Sequence, residues 1–199
     1  KKKKENKTTK KKKKKKKKLK KKKLILNKLK MRQIKINSTT GSEIVLTATA
    51  KDYIRVSTTA DDNIIGRMIT QARIWCENYI SRDIVAKNRT YYIPETNGTF
   101  DLPFAPVASI SSVTSDGTAV DYTVLGLDNE TIELDGGYAD KVKVTYVTSG
   151  LDDSLLEQAI MQLVSTYYDN RADFIIGKNI AEVPTDVRDI LNSYKSMFL

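Results

Sequence analysis

Four features of this sequence have residue types suited to chemistry: a lone cysteine, two pairs of adjacent carboxylates, a diglycine and an arginine that ends a helix-like repeat. Cys76 sits beside Trp75 on an apolar face, where nothing nearby lowers its pKa, so it reads as a buried structural thiol and not as a nucleophile. Asp61-Asp62 and Asp152-Asp153 both fall at expected helix starts. Acidic residues there favour the helix dipole and cap free N–H groups, and capping explains them better than a metal or an acid–base pair. Gly136-Gly137 fits no phosphate-binding or dinucleotide fingerprint. The chain has no histidine, which removes Ser-His-Asp and Cys-His nucleophile systems and most zinc sites. No catalytic set, metal site or cofactor site emerges, and the expectation is a non-enzyme. Arg171 follows Tyr168, Asp169 and Asn170. It reads either as an exposed charge at a helix C-terminus or as a fork-shaped donor tying that helix to its surroundings. Spacing leaves both open.

The elements that must carry these residues follow from periodicity. Residues 31–36 alternate Ile34 and Ile36 with charged neighbours, as a short edge strand does. Residues 47–56 read as a short helix with Ala50, Tyr53 and Ile54 on one side. A long helix follows, with a capping box from Thr58 and Asp61 or from Thr59 and Asp62. In it Ile64, Ile65, Met68, Ile69, Ala72, Trp75, Cys76, Tyr79 and Ile80 repeat at three and four. From residue 88 to 150 the period becomes that of strands: 91–93, 99–102, 107–114, 131–134 and 141–146, with Asp116-Gly117 as a hairpin turn. The turn Asp135-Gly136-Gly137 is expected between the last two. Helix returns after an Asp152 or Asp153 cap, with Leu155, Leu156, Ala159, Ile160, Leu163, Val164 and Tyr167 as its stripe. Residues 172–181 are expected to connect onward, with Gly177, and to hold Phe174, Ile175 and Ile176 against the core. Pro184 then opens a last helix whose stripe is Val187, Ile190, Leu191, Tyr194 and Phe198. The predicted fold is α+β: a bundle of about four helices, 45–85 and 151–199, with an antiparallel β insertion at 88–150.

The formal charge of +11 misleads, because residues 1–30 hold twenty Lys and one Glu. The other 169 residues carry fifteen Lys and Arg against twenty-three Asp and Glu, a net of −8. The Lys-rich segment is expected to be disordered, since like charges repel and few of its residues can be buried. Met31 stands where patterned sequence begins and is the expected start of translation, the purine-rich lysine codons before it reading as a ribosome-binding region. The alternative is a polybasic arm for nucleic acid or acidic lipid. One cysteine excludes a disulfide framework and fits a reducing compartment. No apolar run approaches the roughly 20 residues that span a bilayer, and no membrane partner is expected.

Several of these segments, in this order, resemble the head–tail connector (adaptor) proteins of long-tailed bacteriophages over nearly all of residues 43–196. The matching pieces are Leu102-Pro103 with Pro106-Val107-Ala108-Ser109-Ile110, then Tyr168-Asp169-Asn170-Arg171, and a last helix with Pro184, Val187, Ile190, Leu191 and Tyr194. Lys195 stands where that family often has Arg, and Ile190 replaces a Leu. The resemblance implies a structural protein of the virion that forms a ring, twelve-fold, beneath the portal. That ring would extend the DNA channel and offer the attachment site for stopper or tail proteins, with DNA passing through unbound. It implies assembly in the host cytoplasm and interaction roles for Tyr168, Asn170, Arg171, Pro184, Val187, Ile190, Leu191, Tyr194, Lys195 and Phe198. Two rival readings are a nucleic-acid-binding protein using the Lys-rich arm and a tail-completion or stopper protein.

Overall fold

The computed structural model describes residues 31–170 and 185–195. Within them the chain is α+β, with two hydrophobic cores side by side. One core is helical. Helices α1 (Thr47–Ile54), α2 (Asp62–Ile80), α3 (Ser154–Asp169) and α4 (Thr185–Asn192) pack together, with α2 and α3 at the centre. The three- and four-residue spacing puts Ile65, Ile69, Ala72, Cys76 and Ile80 of α2 against Leu156, Ala159, Ile160, Leu163 and Val164 of α3. Each fully buried Ile or Leu adds about 1.5–3 kcal/mol of transfer free energy, so this seam is the main stabilising term of the bundle.

The second core lies between two antiparallel sheets. The larger runs β1 (Gln33–Thr39), β2 (Lys87–Thr96), β8 (Ala139–Thr148), β4 (Val107–Ser115) and β5 (Thr118–Ala119), in that spatial order. The smaller runs β3 (Thr99–Asp101), β7 (Thr131–Leu134) and β6 (Tyr122–Leu125). Alternation explains the faces: Val142, Val144, Tyr146 and Thr148 of β8 are buried, while Lys141 and Lys143 are wet. Phe100, Ile132 and Leu134 of the smaller sheet share a core with Tyr91, Ile93, Val142, Val144 and Tyr146 of the larger. Asp116 and Gly117 both take positive φ, as the two-residue turn joining β4 to β5 requires.

Gly137 of the diglycine takes a positive φ of 71°, which glycine adopts freely, and its backbone lies against another glycine. Gly98, itself at positive φ, passes so near Gly137 that a Cβ on Gly98 would lie 2.9 Å from the Gly137 Cα. The turn after β2 therefore crosses the turn after β7 backbone to backbone.

Several expectations need correcting. The β unit is divided into two sheets, and the turn at 135–137, expected between 131–134 and 141–146, passes the chain from the smaller sheet to the larger. The strand Tyr122–Leu125 carried too little alternation to be foreseen. Neither Thr58 nor Thr59 caps α2 through its side chain. The cap position is Asp61, without a side-chain cap bond, and the Asp62 N–H reaches the Thr59 carbonyl. Both carboxylates instead tie helices together: Asp61 accepts from the Tyr168 hydroxyl at 2.6 Å, and Asp62 pairs with Lys51 at 2.6 Å. Tyr53, Ile64 and Leu155 belong to the apolar patterns yet are exposed, because each stripe is wider than the neighbour it meets. Asp153 does cap α3, accepting from the Leu155 N–H at 2.8 Å. The connection with Phe174, Ile175 and Ile176 lies outside the described residues.

Candidate functional site

Cys76 is fully buried. Burial first, and the neighbouring Glu77 carboxylate second, push its thiol up to about 12, so it stays protonated and inert. Among the described residues no group of His, Cys, Asp and Glu is arranged to hold a metal ion. No described helix is long and apolar enough to cross a membrane. The feature that stands out is the joint that holds the two halves of the chain in fixed relation.

That joint is a buried network of charges. Asp83 is wholly buried and receives four bonds: two from Arg89 at 2.7 and 2.6 Å, one from Lys87 at 3.0 Å and one from the Thr148 hydroxyl at 2.9 Å. Glu77 accepts from the Ile84 and Val85 N–H groups at 3.1 Å, from Arg73 at 2.8 Å and from Lys87 at 2.5 Å. Arg73 reaches on to Glu43 with two further bonds, at 2.7 and 3.0 Å. Burial alone would lower the Arg73 pKa, but the Glu43 and Glu77 carboxylates outweigh it and raise the value. Arg89 also lies 3.8 Å over the Phe104 ring. Three cations meet three carboxylates, and each carboxylate of Glu77 and Asp83 has its acceptor sites filled, which buried charge requires. The network runs from the end of α2 through residues 81–86 into β2 and β8, so it locks the helical half onto the β half. Sequence reading missed it; the available signal was Arg73 and Glu77, four apart, inside an otherwise apolar stripe.

The residues expected to form contacts divide into groups. Val187 and Leu191 are fully buried in the bundle, with Ile190 and Tyr194 packed against the same core. Val187 and Leu191 cannot also be reached by a partner, so their interaction role gives way to a structural one. α4 is held further by Tyr79, which donates to Asn192 at 2.9 Å, stacks on Trp75 and lies 5.1 Å beneath Lys195. The Tyr194 hydroxyl lies near Asp153, the cap of α3. The Leu155 N–H first, then this hydroxyl, hold the Asp153 carboxyl below its ordinary value. Tyr168 is half-buried and binds Asp61, while Asn170 closes α3 through the Thr166 carbonyl at 2.9 Å. Lys195 is exposed. Arg171, Pro184 and Phe198 lie outside the described residues.

Solved structures with a similar fold include chains of gene transfer agent particles. The chain is similar, at 17% identity and a TM-score of 0.65, to a chain of the "neck of empty GTA particle computed with C6 symmetry", covering 84% of this chain and 97% of that one. A chain of the "virion of native gene transfer agent (GTA) particle" is similar at 18% identity and a TM-score of 0.64, with the same coverage. A third, from the "neck of native GTA particle computed with C12 symmetry", is 16% identical with a TM-score of 0.54, covering 81% of this chain and 97% of that one. No curated protein matches the sequence. Residues 43–197 match the family described as head completion protein, a span that takes in the whole bundle and every strand of both sheets except β1. The chain thus belongs to the head completion protein family, and its role is that of a structural connector between head and tail.

Proposed function

We propose that copies of this chain form a closed twelve-fold ring beneath the portal, at the vertex where DNA leaves the head. The ring lengthens the channel and presents the attachment site for the next stopper or tail protein. It assembles in the host cytoplasm and remains in the virion at the head–tail junction. The observation that carries this reading is the match to the head completion family over 43–197. Three features support it. The two halves are fastened by a fully bonded buried network, which suits a part that transmits position and does not change shape. Residues 31–199 carry a net charge of −8, and a conduit that lets DNA slide should offer phosphates no basic wall. The fold also matches chains of necks treated with six- and twelve-fold symmetry.

The portal contact in this reading is the outer face and end of α4. Val187 and Leu191 hold that helix in place, and Arg188, Asp189 and Lys195 are exposed beyond them. Truncation after Ser193 tests it. The shortened chain is expected to keep its circular dichroism spectrum and lose co-sedimentation with portal rings. Undiminished portal binding would overturn this assignment.

A further inference from the structure

The larger sheet is unfinished at both ends, and the two ends are complementary. At one end β1 pairs, among the described residues, only with β2, and all seven of its residues are exposed. At the other, β5 covers Thr114 and Ser115 of β4, the Val120 N–H reaches the Val113 carbonyl and the Val107 N–H bonds the Asp128 carbonyl, which leaves the stretch with exposed Ala108, Ser109, Ser111 and Ser112 as the open part of that edge. Long open edges attract another strand unless they are blocked by charge, proline or a covering element. Here β1 has a single Lys, and neither edge strand contains a proline.

Polarity is compatible. Neighbouring strands alternate in direction through β1, β2, β8 and β4. Subunits related by rotation about an axis along the strands keep their direction. A neighbour's β1 laid beside β4 therefore continues the antiparallel order. Apolar surface is available at both ends too. Ile34 and Ile36 stand in register with Tyr91 and Arg89, on the core side of the sheet, yet they are 38% and 49% exposed. The smaller sheet stops short of them. At the opposite end, β6 follows β5 after two residues and exposes Val124, Leu125 and, just beyond, Leu127.

Charge is complementary as well. Residues 31–42 carry Arg32 and Lys35 and no acid, whereas residues 116–130 carry four acids and no base. Among the described residues Asp116 and Asp128 pair with Lys141 and Arg82, whereas Asp121 and Glu130 have no ion pair, Glu130 accepting the Asp128 N–H at 2.9 Å.

We propose that β1 of one copy docks on the β4–β6 edge of the next copy, extending the larger sheet from subunit to subunit. Ile34 and Ile36 would then pack against the neighbour's Val124, which shares the core side of its sheet with Ile132, with Arg32 and Lys35 facing its Asp121 and Glu130. The contact is head-to-tail, so it does not stop at a dimer, and it closes into a ring where the rotation between copies divides a full turn. This interface rests on the ring reading above.

The test uses the full chain with paired charge reversals, R32E/K35E and D121K/E130K, with circular dichroism checking that each remains folded. Ring formation is read by mass photometry at high protein concentration and by electron microscopy on neckless heads. Each double variant alone should lose at least about tenfold of its rings, because like charges then face each other. An equimolar mixture should regain them, since alternating copies restore both opposite-charge contacts. The quadruple variant should also recover. Rings from wild type that both reversals leave intact, or a mixture that does not recover, would overturn the interface while the ring reading stands. No wild-type ring under either condition would overturn both.

Discussion

Asp83→Ala is expected to cost about 3–5 kcal/mol of unfolding free energy, the magnitude found when one partner of a buried ion pair is removed. Asp83 is wholly buried and takes bonds from Arg89, Lys87 and Thr148. Without its carboxylate, three buried cations would face two carboxylates, and the Arg89 guanidinium would lose both of its short bonds. Stabilities of such domains run about 5–15 kcal/mol in total, so the variant should be marginal at 37 °C. Chemical denaturation checks the value. Asp83→Ala/Arg89→Ala should cost less than the sum of the two single substitutions, because each single change strands the other's charge. A single-variant loss below about 1 kcal/mol would mean that the network does not hold the halves together.

Leu191→Ala should be the second large effect, about 2–5 kcal/mol. The side chain is fully buried between α4 and the rest of the bundle, and its removal leaves a cavity as well as losing transfer free energy. Lys195→Ala, on an exposed residue of the same segment, should change stability by less than about 0.5 kcal/mol. The contrast separates a core helix with one outward face from a detachable arm. If Leu191→Ala cost no more than Lys195→Ala in a denaturant melt, α4 would not be part of the bundle.

The sequence made the helices legible because their stripes are local: Ile65, Ile69, Ala72 and Cys76 announce a buried face without reference to anything else. Strand existence was legible for the same reason at Ile132, Leu134, Val142 and Val144. Pairing was not. The alternation in β7 and β8 is alike, and only the three-dimensional arrangement sends one to the smaller sheet and the other to the larger. Burial of charge was equally hidden, since Arg73 and Glu77 look like a surface pair until Glu43 and Lys87 arrive from elsewhere in the chain. The terminal helix shows the limit most clearly. Its Val187–Leu191 stripe marks an apolar contact, but a stripe cannot say whether it meets its own subunit or another. The structure gives that stripe to the subunit's own core.

The central claim is that this protein completes the head so that a tail can join. It is tested most directly by removing its gene from the phage that encodes it and adding the purified protein back to the resulting particles. The account predicts DNA-filled heads without tails from the deletion. It predicts that the protein added to those heads, with tails present, restores tailed infectious particles, counted by plaque assay and seen by electron microscopy. Normally tailed, infectious particles from the deletion strain would contradict it.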